Sequence, residues 1–173
     1  MTDLRSKIRE VPDFPTPGVG FKDITPLLAD REALHATING LASWAREKKP
    51  DVILGAEARG FILGAAIAAA VDCGFVPARR PGKLPHETVS AEYALEYGIN
   101  TLEVHADALS GGTRVLVHDD LLATGGTAGA LCELVEGMGA EVAGCGFLIE
   151  LSFLEGRKRL APRTVFALID FDY

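Results

Sequence analysis

The clearest hydrophobic pattern in the chain lies between Asp30 and Pro50, where apolar residues recur every three or four positions. That spacing places them on one face of a helix, which Asp30 can cap and Pro50 cannot continue. Two short apolar runs, at residues 52–54 and 74–78, fit buried strands, and the Ala-rich run at residues 60–71 fits a buried helix. The first half of the chain therefore predicts helix, strand, helix and strand in turn.

The same alternation continues in the second half. Apolar strands are predicted at residues 114–118, 141–150 and 165–169, with a helix at residues 128–138 and a turn or short helix at residues 155–160. Strands that alternate with helices favour an α/β fold: an open, mainly parallel, twisted sheet with helices on both faces. In such sheets the ligand site lies at the carboxyl ends of the strands.

Two segments lack a sustained apolar period. After a short helix predicted through Arg9, prolines and glycines exclude regular structure over residues 12–20, so tertiary contacts must hold an N-terminal arm of about residues 1–30. Residues 79–100 are rich in polar residues and turn formers, which is typical of an exposed loop. Loops of this length are often functional, and we expect a flexible lid here.

Composition narrows the functional classes. The chain has 173 residues, a net charge of −7 and 48% hydrophobic residues, which fits one domain spanning residues 1–173. The acidic balance argues against nucleic-acid binding. The longest apolar stretch, residues 61–71, falls short of the ~18–20 residues needed to cross a bilayer, and the N-terminus lacks an apolar signal-peptide centre. These two features predict a cytoplasmic protein without membrane contact. The three cysteines are odd in number, far apart and form no Cys-x-x-Cys pair, so we expect neither a disulfide framework nor a zinc site.

The most informative segment is residues 115–127, in which a strand and two acids lead into a small-residue loop and a helix start. Glycines and threonines at a helix N-terminus let N–H and hydroxyl groups close around a phosphate. Asp119 and Asp120, just before the loop, can accept hydrogen bonds from a ribose diol or help hold a divalent cation, although an isolated Asp pair more often shapes a turn. Neither a Gly-Lys-Ser/Thr nor a G-x-G-x-x-G motif is present, which disfavours nucleotide hydrolysis and nicotinamide binding. The segment therefore predicts a sugar-phosphate site. The loop consists of Ala123, Thr124, Gly125, Gly126 and Thr127.

This segment resembles the signature of the type I phosphoribosyltransferases, in which apolar residues, two acids and two apolar residues precede a Thr-Gly-Gly-Thr loop. The resemblance implies the fold of that family. It also implies that the loop binds the 5′-phosphate of phosphoribosyl pyrophosphate (PRPP) and that Asp119 and Asp120 contact the ribose hydroxyls. His118 departs from the usual apolar residue, and we expect a half-buried strand position there.

Outside the signature, residues 12–26, residues 55–61 and the lid are similar to the adenine-specific members of that family. The resemblance implies that Phe21, Lys22 and Leu151 form the adenine site. An aromatic face such as Phe21 can stack on a purine while backbone groups read its edge. Lys22 replaces the arginine common at this position, which keeps the charge but loses the planar fork.

The same resemblance implies a diphosphate site at Glu57, Ala58 and Arg59, with Arg79 and Lys83 from the lid. The guanidinium of Arg59 can bind a diphosphate oxygen through two hydrogen bonds. The lid would close over PRPP and neutralise the departing diphosphate.

Glu96 matches the lid acid that protonates the base or assists its departure. The implied reaction transfers the phosphoribosyl group from PRPP to N9 of adenine, giving AMP and diphosphate for purine salvage through an oxocarbenium-like transition state. Mg²⁺ would be held mainly by PRPP, with no ligand directly from the protein. A homodimer is also implied. Two alternatives stay open: a xanthine or hypoxanthine/guanine phosphoribosyltransferase, and a non-catalytic PRPP-sensing regulator.

Overall fold

The computed structural model describes residues 3–95 and 98–173. Its strands, in chain order, are β1 (Arg9–Val11), β2 (Phe21–Asp23), β3 (Val52–Ala56), β4 (Gly74–Ala78), β5 (Thr88–Leu95), β6 (Gly98–His105), β7 (Arg114–Leu122), β8 (Glu141–Leu151) and β9 (Val165–Phe171). Its α-helices are α1 (Thr25–Ala29), α2 (Arg31–Lys48), α3 (Arg59–Val71), α4 (Gly126–Gly137) and α5 (Gly156–Leu160).

Five strands form one parallel sheet in the order β4-β3-β7-β8-β9. The first strand of this sheet along the chain is β3, and the next, β4, lies at one edge beside it. The chain then crosses to β7 on the other side of β3 and continues outward to β8 and β9. The strand order therefore reverses between β3 and β7. The open parallel α/β sheet predicted from the sequence is confirmed.

Helices cover both faces of this sheet, as predicted. On one face, apolar side chains of α1, α2 and α3 pack against alternate strand residues such as Ile53 and Leu116. On the other face, α4 and the β5–β6 hairpin pack against Leu54 and Val117. The cap predicted for α2 is confirmed, because the Asp30 carboxylate accepts a hydrogen bond from the Ala33 amide at 3.0 Å. Helical spacing and strand alternation thus build two apolar layers on one sheet.

The N-terminal arm differs from the expectation of a helix through Arg9. Only a 3₁₀ turn forms, at Arg5–Lys7, because β1 pairs with β2 as an antiparallel ribbon. Because residues 9–11 form this strand, the helix cannot extend to Arg9. The pairing also places Phe21 opposite Val11, so the segment expected to bind the base is part of a two-stranded ribbon.

The predicted lid also contains more regular structure than its composition indicates. Strand β5 pairs with β6 along its length as an antiparallel hairpin. Val89, Ala91 and Tyr93 alternate along β5 and pack against the core beside α4. Strand β7 likewise extends past residue 118 to Leu122, because its end stays paired with β8.

Two further expectations concern cysteines and membranes. Cys73, Cys132 and Cys145 are free thiols, and the buried sulfur atoms of Cys132 and Cys145 lie 3.5 Å apart across α4 and β8. Among residues 3–95 and 98–173, no helix is both long and apolar enough to cross a membrane.

Candidate active site

The candidate site lies where the loops after β3 and β7 meet. Because the strand order reverses between these neighbours, β3 leads into α3 on one face and β7 leads into α4 on the other. A crevice opens at such a reversal, at the carboxyl ends of the two strands. Residues 57–59 and residues 119–127, separated by some sixty positions in the chain, therefore border the same crevice.

The small-residue loop at residues 123–127 closes tightly between β7 and α4. Gly125 has a φ of +81°, and a Cβ atom there would lie 2.7 Å from the carbonyl oxygen of Gly156. A Cβ on Gly156 would in turn overlap the carbonyl oxygen of Ala123. Helix α4 begins at Gly126, and the amide groups of its first turn have no partner within the helix. Such a helix N-terminus favours an anion. The cavity at this point is lined by all five loop residues together with Asp119, Leu121, Leu122, Ala128, Tyr93 and Ala94.

The acid pair lies beside Arg59, the first residue of α3. The Asp120 carboxylate is buried, and its Oδ2 atom lies 3.1 Å from Arg59 Nε. Within the described residues that oxygen has no partner of hydrogen-bond geometry, so the contact with Arg59 is electrostatic. The Asp120 amide donates a hydrogen bond to Asp119 Oδ1 at 2.8 Å, which ties the two acids together.

Burial dominates the ionisation of both acids. It raises the pKa of Asp119 well above its ordinary value, and the adjacent Asp120 carboxylate raises the pKa of Asp119 further. Burial also raises the pKa of Asp120, although the Arg59 guanidinium opposes that shift. The buried Asp120 carboxyl group and the half-buried Asp119, which lines the cavity, thus lie close together, a state that incoming hydroxyl donors or cations would stabilise.

His118 corrects one expectation, since it is fully buried and not half-buried. Its Nδ1 atom lies 2.9 Å from the carbonyl oxygen of Gly146, and its ring packs where Gly64 of α3 has no side chain. Burial lowers the pKa of His118 to about 4. The imidazole is therefore neutral near pH 7 and contributes packing beneath the acids without adding charge.

At the mouth of the crevice, Glu57 holds the start of the lid. Its carboxylate accepts hydrogen bonds from the Arg80 amide at 2.7 Å and from Arg79 Nη2 at 3.1 Å. These donors, the Arg80 amide first, lower the pKa of Glu57. Arg79 also donates to the carbonyl oxygen of Lys83 at 3.3 Å, and the side chain of Lys83 is exposed. Ala58 is exposed between Glu57 and Arg59. The Glu57 carboxylate thus positions Arg79 and Arg80 at the mouth of the crevice.

On the opposite side, the arm reaches the same arginine. The Phe21 ring is half-buried, and its centroid lies 4.9 Å from Arg59 Cζ. Leu151 ends β8 and is nearly buried. The ammonium group of Lys22 is turned elsewhere, 2.9 Å from Glu10 Oε1. The structure therefore brings together Phe21, Arg59 and Asp120, which are predicted to contact the base, the diphosphate and the ribose.

Sequence reasoning missed Tyr93 and Gly156, and its predicted acid, Glu96, lies outside the described residues. Tyr93 lines the cavity with the loop, and its Cδ2 atom would lie 3.4 Å from a Cβ on Gly126. The alternation of apolar residues along β5 was the available signal for Tyr93. No sequence signal marks Gly156, because only its approach to Ala123 in space gives it a role.

Comparison with known proteins agrees with this geometry. The phosphoribosyl transferase domain model matches residues 28–172. The adenine phosphoribosyltransferase of Rubrobacter xylanophilus is 59% identical over 169 residues, which cover 97% of this chain and 91% of the relative. The crystal structure of adenine phosphoribosyltransferase from Thermoanaerobacter pseudethanolicus superposes with a TM-score of 0.95 at 51% identity and covers 98% of both chains. The Saccharomyces cerevisiae enzyme, crystallised with an imino-altritol bisphosphate and adenine, superposes with a TM-score of 0.91 at 37% identity over 96% of each chain.

The agreement extends over nearly the whole chain and includes the signature loop, the crevice and the N-terminal arm. Because the domain model matches residues 28–172 and relatives of this identity match nearly the whole chain, the chain belongs to the phosphoribosyltransferase family, within its adenine phosphoribosyltransferase group.

Proposed function

We propose that the protein transfers the phosphoribosyl group of PRPP to N9 of adenine and releases AMP and diphosphate, a reaction of purine salvage. The observation that carries this proposal is the position of Arg59, whose guanidinium contacts both Asp120 and the Phe21 ring. A sugar phosphate held at the acids and a base stacked on the ring would therefore meet beside a cation suited to diphosphate.

The 5′-phosphate binds the loop at residues 123–127. Its oxygens accept hydrogen bonds from the amides at the start of α4, and the hydroxyl groups of Thr124 and Thr127 add two further donors. The ribose hydroxyls donate to Asp119 and Asp120, which supplies a partner for the buried Asp120 oxygen. Both contacts fix the sugar, so that its anomeric carbon faces the base.

Arg59 and the lid arginines bind the leaving diphosphate. Arg59 would leave the Asp120 carboxylate when a diphosphate with a higher charge arrives, and Arg79 is already held at the mouth of the crevice by Glu57. The departing group accumulates negative charge while the anomeric carbon becomes positive, so fixed guanidinium groups stabilise the transition state. The exposed Lys83, near the start of the lid, adds another cation.

Adenine stacks on the Phe21 ring, and Leu151 packs against the base. Main-chain groups around Lys22 form hydrogen bonds with the edge of the base. Glu96 acts as the acid or base toward the purine ring. The choice of adenine over 6-oxopurines rests on the similarity of the arm to that of the adenine enzymes, since stacking alone does not distinguish purines.

Mg²⁺ enters with PRPP in this proposal. Within residues 3–95 and 98–173, no three His, Cys, Asp or Glu side chains are grouped to hold a metal, whereas the acid pair faces the place where the ribose diol would bind. The ion would be held mainly by PRPP, and Asp119 and Asp120 would contact it through water. The chemistry that Mg²⁺ would supply there is neutralisation of substrate charge, which would favour departure of the diphosphate.

We also propose that the protein acts as a homodimer in the cytoplasm, as its family resemblance and its reduced cysteines suggest. Sedimentation of the purified protein tests the dimer, and a monomeric mass at assay concentrations would refute it.

The test of function is a set of parallel reactions that contain PRPP, Mg²⁺ and one purine each: adenine, hypoxanthine, guanine or xanthine. AMP as the only nucleotide product is the expected result. Formation of another nucleotide would keep the PRPP site and refute the assignment of the base. Binding of PRPP without any product would instead favour a PRPP-sensing regulator.

A further inference from the structure

The side chain of Lys22 lies on the face of β2 that is turned away from Arg59. Along the strand, Phe21 and Asp23 are half-buried while Lys22 is 5% exposed. Successive side chains of a strand point to opposite faces, so Phe21 and Lys22 serve different neighbours. Phe21 faces Arg59, and Lys22 enters the protein on the other side.

The neighbours of Lys22 offset the free-energy cost of burying its ammonium group. Glu10, directly opposite Lys22 on β1, places Oε1 2.9 Å from Nζ. The centroid of the Phe171 ring lies 4.2 Å from Nζ, and that of Tyr173 lies 5.5 Å from it. Burial of an isolated ammonium group is unfavourable, whereas a carboxylate together with aromatic faces stabilises it. These contacts therefore hold the Lys22 side chain in its buried position.

Phe171 links this cluster to the far side of the predicted base site. It is the last residue of β9 and pairs in parallel register with Leu151, the last residue of β8. The Ser152 hydroxyl also donates to the carbonyl oxygen of Phe171 at 3.4 Å. Leu151 and Phe21 are the two apolar residues predicted to contact adenine. The chain of contacts from Phe21 through Lys22 and Phe171 to Leu151 therefore joins the two sides of that site.

A second cation strengthens the connection. Arg5, in the N-terminal 3₁₀ turn, places Cζ 4.4 Å from the Phe171 ring centroid and 5.6 Å from that of Tyr173. Two cations from the arm thus lie against aromatic side chains at the end of β9. Strands β1 and β2 are only three residues each, and at its other end the arm is held by the buried side chains of Ile24 and Leu27.

We infer that Lys22 is a positioning residue for the base: its ammonium group, bound by Glu10 and Phe171, fixes the arm that carries Phe21 relative to Leu151. This inference rests on the proposed function. In place of a direct contact between the Lys22 side chain and adenine, the side chain holds the main chain and the stacking ring in place.

The kinetic test compares Lys22→Met, Lys22→Arg and a control, Lys48→Met. Methionine keeps the length and apolar stem of Lys22, and the largely exposed Glu10 stays hydrated without its partner. Arginine restores the charge and can stack on Phe171 while it binds Glu10. Lys48 lies 5.5 Å from the Trp44 ring on α2, so its replacement removes a lysine–aromatic contact in a different part of the chain.

Lys22→Met is expected to raise the KM for adenine about tenfold, with kcat and the KM for PRPP within about twofold of wild type. Lys22→Arg should recover most of the loss, and Lys48→Met should leave all three constants unchanged. An unchanged KM for adenine in Lys22→Met, or an equal loss in every constant with no rescue by arginine, would overturn the inference.

Amide hydrogen exchange provides a readout that needs no activity. In Lys22→Met, residues 20–24 are expected to exchange faster than in wild type, while residues 123–127 exchange at the wild-type rate. Phe171→Leu should have the same effect, because it removes the ring from the other side. If wild-type protein formed no AMP, the proposed function would fail, and the exchange data would still decide whether Lys22 holds the arm. Unaltered exchange at residues 20–24 in both variants would refute that role.

Discussion

Replacement of Gly125 by alanine adds one methyl group to the loop at residues 123–127. Gly125 has a φ of +81°, in the left-handed region, and a Cβ there would lie 2.7 Å from the carbonyl oxygen of Gly156 and 3.2 Å from Arg159 Cβ. Gly137, at the other end of α4, provides the matched control, since a Cβ at that position meets no atom within 4 Å. The same substitution is therefore expected to have opposite effects at the two ends of one helix.

The magnitudes follow from these two environments. A residue with a Cβ in the left-handed region costs about 1–2 kcal/mol, and overpacking against a backbone atom adds about 1–3 kcal/mol. A central value of about 3 kcal/mol lowers Tm by about 6–12 °C for a chain of this size. Gly137→Ala should instead stabilise the protein by up to about 1 kcal/mol, because alanine favours a helix over glycine.

Thermal unfolding of wild type and both variants, with and without PRPP, measures both effects. PRPP should raise the Tm of wild type and Gly137→Ala, and raise that of Gly125→Ala less, because a displaced loop binds the 5′-phosphate more weakly. A Gly125→Ala protein with wild-type Tm and a wild-type PRPP response would refute the argument. Equal destabilisation by Gly137→Ala would show instead that α4 tolerates no added methyl group.

Three other substitutions test the acids and the histidine. Asp120→Asn should raise the KM for PRPP at least about tenfold, since it removes the buried charge beside Arg59, with Tm little changed; an unaltered KM would contradict the ribose role. Glu96→Gln should lower kcat more than it raises the KM for PRPP, and wild-type turnover would exclude the acid role. His118 has a pKa of about 4 in the folded protein and about 6.5 in the unfolded chain, so the unfolded chain binds the proton first as the pH falls. The free energy of unfolding therefore decreases by up to about 3 kcal/mol between about pH 6.5 and pH 4. Chemical denaturation across that pH range should show this loss in wild type and not in His118→Leu, and parallel pH profiles would contradict it.

Local signals predicted the central fold correctly. The apolar spacing and the Asp30 cap predict α2, and the capping hydrogen bond to Ala33 is present. The alternation of strands and helices predicts the open parallel sheet, because a right-handed crossover places each helix on a face of the sheet. The loop at residues 123–127 is also local, since the glycines that allow its turn lie next to the threonines that would bind the phosphate.

Strand β5 shows where such signals are insufficient. Val89, Ala91 and Tyr93 alternate with polar residues, but small side chains among turn formers favour a loop over a strand. The strand forms because β6 supplies its hydrogen bonds and α4 covers its apolar face. Both partners lie later in the chain, so composition within the segment does not reveal them.

The sequence by itself determined the alternation of helices and strands in the central sheet and the turn at residues 123–127, because each depends on neighbours within a few positions. The tertiary structure alone decided which charges meet. Arg59 lies between Asp120 and Phe21, Glu57 binds two arginines, Lys22 faces Phe171, and His118 is fully buried. The physical reason is that parallel pairing and the reversal of strand order bring distant residues to one edge, where burial and Coulomb interactions act through space and not along the chain.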